Sequence, residues 1–254
     1  MLPRLVAIAV LAAPVAAWAS PDELVGRPLV LDRGGVVAGL TIELGAPAGQ
    51  FAAPLSIAPD VWLGATSRLT IGVIHSSAAV DEIDAHASLC FRGDDLTCGH
   101  AYRGSGLDVR WSWLDGPLAV APRVRLLARD VDPWKPAATL GALARWTAGA
   151  IAITSDPYLR LGLANQDLGN RAALFVPIWL AVQPAARWMI ALHTGWDSEL
   201  ATVRDGWHVP VGLEGTLRVT ARLEVGLAAG FPHLLGPQNS VKQRALSVTL
   251  EYRP

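Results

Sequence analysis

The chain closes on RALSVTLEYRP, residues 244–254. In an extended backbone successive side chains point to opposite faces. Leu246, Val248, Leu250 and Tyr252 therefore share one face, and Ser247, Thr249 and Glu251 share the other. This two-residue period predicts a strand with one apolar and one polar side. Two environments satisfy it. One is a sheet in water that hides its apolar side in a core. The other is a wall whose apolar side meets lipid.

The same period recurs upstream, with turn-forming residues between the runs. Clear cases are VVAGLTIEL (36–44), RLTIGVIHSS (68–77), LDVRWSW (107–113), RVRLLARD (123–130), RWMIALHTGW (187–196), WHVPVGLEG (207–215) and ARLEVGLAAGF (221–231). Less regular runs lie at 53–64, 139–153, 158–163 and 173–182. With the terminal run they predict about twelve strands, in a range of ten to fourteen. A weak repeat sets small or turn-forming residues before Arg68, Arg123, Arg187 and Arg222, each followed by alternation. Each reads as a short hairpin turn opening a new strand. Longer connections fall at 77–105, 130–136, 164–171, 197–206 and 232–243. Short turns at one end and long loops at the other describe an up-and-down membrane barrel.

Composition points the same way. The 254 residues are 52% hydrophobic and only 17% charged, against about 25% charge in an ordinary soluble domain. A formal net charge of −1 gives no reason to expect a nucleic-acid partner. Ten tryptophans stand beside four phenylalanines, and the indole suits a membrane–water boundary. The opening MLPRLVAIAVLAAPVAAWAS has Arg4, an apolar run over 5–13 and the small-x-small site Ala17-Trp18-Ala19. It reads as a secretory signal peptide over residues 1–19. Residues 20–35 lack alternation until Gly35 and read as a periplasmic lead-in, with one barrel domain over 36–254.

Charges gather on one face of each strand. Glu43, Asp108, Arg110, Arg123, Arg125, Arg129, Arg160, Glu214, Arg222, Glu224 and Glu251 are the expected lumen lining. Trp111, Trp113, Trp188, Trp196, Trp207, Phe231 and Tyr252 are the expected aromatic girdle. Trp188 and Trp196 share one face of one strand. The eight tilted residue steps from one to the other span roughly 20 Å, near the ~25 Å apolar band of a membrane barrel. A secreted ligand-binding β-sandwich is the competing fold.

The terminal run resembles the last strand of bacterial outer-membrane β-barrel proteins, in which alternating apolar residues and a closing aromatic are read by the barrel-insertion machinery. Leu246, Val248, Leu250 and Tyr252 match it; Arg253 and Pro254 extend past the aromatic where the family usually ends. The resemblance implies a monomer in the outer membrane of a Gram-negative bacterium, surrounded by lipid and lipopolysaccharide. It implies either a narrow pore for small solutes or a structural role.

Two smaller features carry chemistry. Cys90 and Cys98 are the only cysteines and, in an exported chain, read as a disulfide worth about 2–3 kcal/mol. The rival is a metal site that adds His86 and His100; no metal and no cofactor is expected. His75 and Ser77 lie two apart, on the face of Leu69, Ile71 and Val73. A His-x-Ser pair on a barrel exterior resembles outer-membrane phospholipase A and lipid A deacylases, in which His activates Ser against a lipid ester. That enzyme reading is the alternative to the pore, and Ala78 stands where those families place Asn.

Overall fold

A computed structural model describes residues 24–46, 51–52, 55–76, 88–92, 102–237 and 239–254. The signal-peptide segment 1–19, Ser77, His86, Cys98 and His100 lie outside the described residues.

Every strand pairs antiparallel with its neighbours. In chain order they are β1 (Val36–Gly45), β2 (Leu55–Thr66), β3 (Leu69–Ile74), β4 (Ser88–Arg92), β5 (Tyr102–Arg103), β6 (Ser105–Trp111), β7 (Leu118–Val131) and β8 (Trp134–Ala148). They continue as β9 (Ile151–Ser155), β10 (Tyr158–Gly162), β11 (Ala173–Ala185), β12 (Trp188–Glu199), β13 (Trp207–Arg218), β14 (Leu223–Leu235) and β15 (Ala245–Tyr252).

Three pairs of these segments are interrupted single staves. β3 and β4 both lie along β2. β5 and β6 are separated by Gly104 alone. β9 and β10 both bridge β8 to β11, parted by Asp156-Pro157, where proline cannot donate a ladder hydrogen bond. The described residues thus build twelve staves. β1 pairs with β2 on one side and β15 on the other, so the sheet closes on itself. Closure removes the unpaired edges that a bilayer would not tolerate. It also overturns the sandwich: among the described residues no second sheet covers the apolar faces.

Those faces look outward instead. Leu63, Ile71, Val73, Leu107, Val124, Leu126, Leu140, Ile153, Leu180, Ile190, Leu213, Leu227 and Leu250 are all exposed. Alternating with them, Thr41, Glu43, Asp60, Thr70, Asp108, Arg123, Arg125, Thr139, Arg145, Arg160 and Glu224 are buried. The polar side of the sheet is the inside and the apolar side is the outside, the reverse of a water-soluble fold. Trp111, Trp146, Trp188 and Tyr252 ring the outer surface near one end, with Trp113 in the adjoining connection. Trp134, Trp196, Trp207 and Phe231 lie towards the other end.

Chain entry to β1 and exit from β15 share one end, where Ala38 opposes Tyr252. Tight turns at 67–68, 149–150, 186–187 and 219–222 gather there. Two of them use one device: Thr66 Oγ1 accepts from the Arg68 amide at 3.1 Å, and Thr220 Oγ1 from the Arg222 amide at 3.2 Å. Arg68, Arg187 and Arg222 thus close turns and stand immediately before new strands, as expected. Arg123 does not; it lies in the middle of β7. Arg222, expected in the lumen, is exposed in the turn ahead of β14.

Two boundaries also differ from the sequence reading. The run 139–153 crosses a turn at Gly149-Ala150, which Gly149 supports at φ 58. The stretch 130–136 is no long linker, because Asp132-Pro133 alone turns β7 into β8.

Residues 24–35 cross the barrel at the end with the tight turns. Val25 is buried against Ala152, Ala181 and Ala191, and its amide donates to Gln183 Oε1 at 3.1 Å. Further along, the Leu31 amide donates to Thr70 Oγ1 at 2.7 Å, and Gly34 and Gly64 join backbones at 2.8 Å. The segment therefore runs from the β9–β12 side of the wall to the β2–β3 side before entering β1. Gly64 is needed there: a Cβ would sit 1.9 Å from the Asp32 carbonyl oxygen.

Candidate functional site: the charged lumen

Inward positions on β6, β7, β8 and β10 hold a cluster of guanidinium groups. In register, Arg110 opposes Arg123 and Asp108 opposes Arg125. Like charges facing each other destabilise a ladder. Asp108 resolves this by accepting from both: Arg110 Nε and Arg123 Nε each lie 2.7 Å from its carboxylate. Trp62 Nε1 adds a third donor at 3.0 Å. Arg123 also reaches Asp156, and Arg125 Nη2 lies 3.3 Å from the same carboxylate. Arg125 bonds Thr139 at 3.1 Å and packs over the Tyr158 ring at 4.2 Å. Tyr158 stacks on Phe175, which in turn lies 5.0 Å from the Arg160 guanidinium. The result is a largely buried plate of paired charges and rings on one side of the lumen.

The opposite arc is acidic. β7 and β14 lie six places apart in the ring of twelve staves. On β1, β13, β14 and β15 the inward charges are Glu43, Glu214, Glu224 and Glu251, with Arg218 bonded to Glu224 at 3.1 Å. The lumen is thus basic on one side and acidic on the other. The expected lining residues Glu43, Asp108, Arg110, Arg123, Arg125, Arg129, Arg160, Glu214, Glu224 and Glu251 all take inward register positions. Sequence reading passed over Asp60, Arg145, Asp156 and Asp197. Asp156 fell between two predicted strands, and the Asp-Pro pair that breaks the stave was its available signal.

At the loop end the lumen widens into a cavity of about 490 Å³. Arg129, Arg160 and Arg171 line it beside Asp197, Asp205 and His208. Asp197 lies 3.3 Å from His208 Nδ1, and the His208 and His233 rings are 4.1 Å apart. At the turn end the crossing segment spans the two arcs. Its Arg27 guanidinium forms a bidentate pair with Glu224 and approaches Glu251 at 3.6 Å. From the basic side, Arg145 donates to the Arg27 and Gly26 carbonyls.

The His75–Ser77 pair is only half described. His75 Nδ1 lies 2.6 Å from the Pro59 carbonyl oxygen, and its amide donates to Asp60. Ser77 lies outside the described residues, as does Cys98; Cys90 lies on β4. Among the described residues no cluster suited to a metal ion occurs.

No protein-family model matches the chain. No curated protein matches it either. Solved structures do. The NanC porin superposes with a TM-score of 0.61 at 9% identity, covering 84% of this chain and 98% of its own. This is an outer-membrane β-barrel fold. The KdgM porin, solved in complex with disordered oligogalacturonate, matches with a TM-score of 0.54 at 7% identity over 85% of this chain and 98% of its own. An outer-membrane channel from Pseudomonas putida F1 matches with a TM-score of 0.54 at 12% identity over 89% and 97%. At these identities the likeness concerns the fold.

Proposed function

We propose that the protein is a narrow channel in the outer membrane of a Gram-negative bacterium, admitting small polar solutes as a monomer set in lipid and lipopolysaccharide. The observation that carries this reading is the lumen itself. It carries charged groups on two facing arcs and opens at one end into a cavity of about 490 Å³. Local pairs such as Asp108 with Arg123 and Glu224 with Arg218 hold the wall, and beyond them a basic arc faces an acidic arc, so that a field across a low-dielectric passage draws in and orients polar solutes. Arg129 and Arg160 at the cavity favour anions among them.

On this reading the tight-turn end faces the periplasm and the cavity faces the cell exterior. There we also place a Cys90–Cys98 disulfide, as an exported chain allows. Liposomes carrying the protein, exposed to a size series of sugars and amino acids, test the channel. The expected result is faster swelling with the smallest solutes than in protein-free liposomes, and none with the larger oligosaccharides. Swelling no faster than in protein-free liposomes for every solute contradicts it.

A further inference from the structure

Residues 24–35 hold themselves across the turn-end mouth by contacts of a distinctive kind. The segment adds no strand to the barrel. It is fixed instead at separate points around the ring: Val25 to Gln183, Arg27 to Glu224 and Glu251, Leu31 to Thr70, and Gly34 to Gly64. The last two points lie beside its junction with β1 and tether it. The first two lie across the lumen. Of these, the bidentate Arg27–Glu224 pair is partly exposed, with 22% of the Arg27 side chain still accessible. Arg145 completes the clamp by capping the two carbonyls beside Arg27. Each arc of the lumen thus holds the segment by the group it attracts: acids take its guanidinium, and an arginine takes its carbonyls.

We infer that residues 24–35 are a hinged strap that gates the channel at its periplasmic mouth, latched by Arg27 on Glu224. The inference rests on the channel reading above. In the latched state the strap narrows the passage. In the released state it swings on the Leu31–Gly34 tether and leaves the β8–β14 half of the mouth clear. The segment buries Leu24, Val25 and Val30, yet it also sets a guanidinium in the lumen, which a segment that served only to stabilise the barrel would not do. The latch is a partly exposed ion pair, so weakening it shifts a population of states and leaves the wall intact.

Single-channel recording in planar bilayers tests this, with heat-modifiable gel mobility confirming a folded barrel. Arg27→Glu sets like charges against Glu224 and Glu251, and the full-length variant should show a mean conductance roughly threefold or more above the unmodified protein as the released state gains population. Adding Glu224→Arg rebuilds the pair with reversed polarity and should return conductance towards the starting level. Hydrogen exchange at the Val25 amide should rise in the single variant and fall again in the double one. A second construction replaces residues 24–30 with a Gly-Ser linker of equal length and should match or exceed the single variant. Unchanged conductance in the linker protein, with the unmodified protein conducting, overturns the strap and leaves the channel standing. Silence from every folded variant overturns the channel reading and the strap with it.

Discussion

Arg123 shows how a single side chain in this lumen holds several staves together. It spans Asp108 on β6 and Asp156 between β9 and β10. Replacing it by alanine leaves two buried carboxylates short of their main partner, and losing one member of a buried ion pair costs about 3–5 kcal/mol. Arg123→Ala should therefore lower the free energy of urea unfolding of the barrel in detergent micelles by that order, while Arg110→Ala, whose side chain is 19% accessible, should cost less. Equal effects would mean that Asp156 contributes nothing to the network. The inward direction of Arg123 was legible in its alternation with Val124 and Leu126. Its partners were not: contacts between β6, β7 and the β9–β10 break depend on register, which a single strand's pattern does not carry. Arg27 was missed for a plainer reason, since it lies in a stretch without alternation and nothing local marks a latch.

The elements were the most readable part of the molecule. A stave with lipid on one side and water on the other must alternate, so a two-residue period marks nearly every one. It failed where the physics stops requiring alternation. Gly149-Ala150 is too small and apolar to interrupt the run from β8 into β9. Asp132-Pro133 was swallowed by a supposed linker because charged residues flank it. The inside–outside assignment of a stave makes a clear prediction on β13. Leu213 faces out and is 62% exposed, while Gly212 beside it faces in. An arginine at a lipid-facing site costs about 2–4 kcal/mol near the bilayer midplane. Leu213→Arg should show that loss in reversible unfolding from lipid vesicles, and a polar replacement at the inward Thr216 should show little. The reverse order would put β13 the wrong way round.

At the scale of the whole molecule, closure and filling are separate matters. An even number of staves brings entry to β1 and exit from β15 to one rim, and the last strand completes closure by pairing with the first. Filling could not be foreseen, because the crossing segment belongs to no strand. The loop end makes a testable claim of its own. Alkylation of the purified, denatured protein without reductant should modify no cysteine, and with reductant both; modification of two thiols without reductant would remove the proposed disulfide. Two selectivity arginines extend the same scale. Arg129→Ala with Arg160→Ala should move the zero-current potential in a KCl gradient towards cation preference, and an unmoved potential would take these residues out of the conducting path. The central claim, that a ring of staves turns grease outward and charge inward, is met most directly by spin labels scanned one residue at a time from 245 to 252, with Cys90 and Cys98 replaced by alanine. Labels at 246, 248, 250 and 252 should collide freely with oxygen dissolved in the bilayer, and labels at 247, 249 and 251 should be shielded from it. Uniform oxygen exposure along the strand, or shielding of the even positions, would contradict the account.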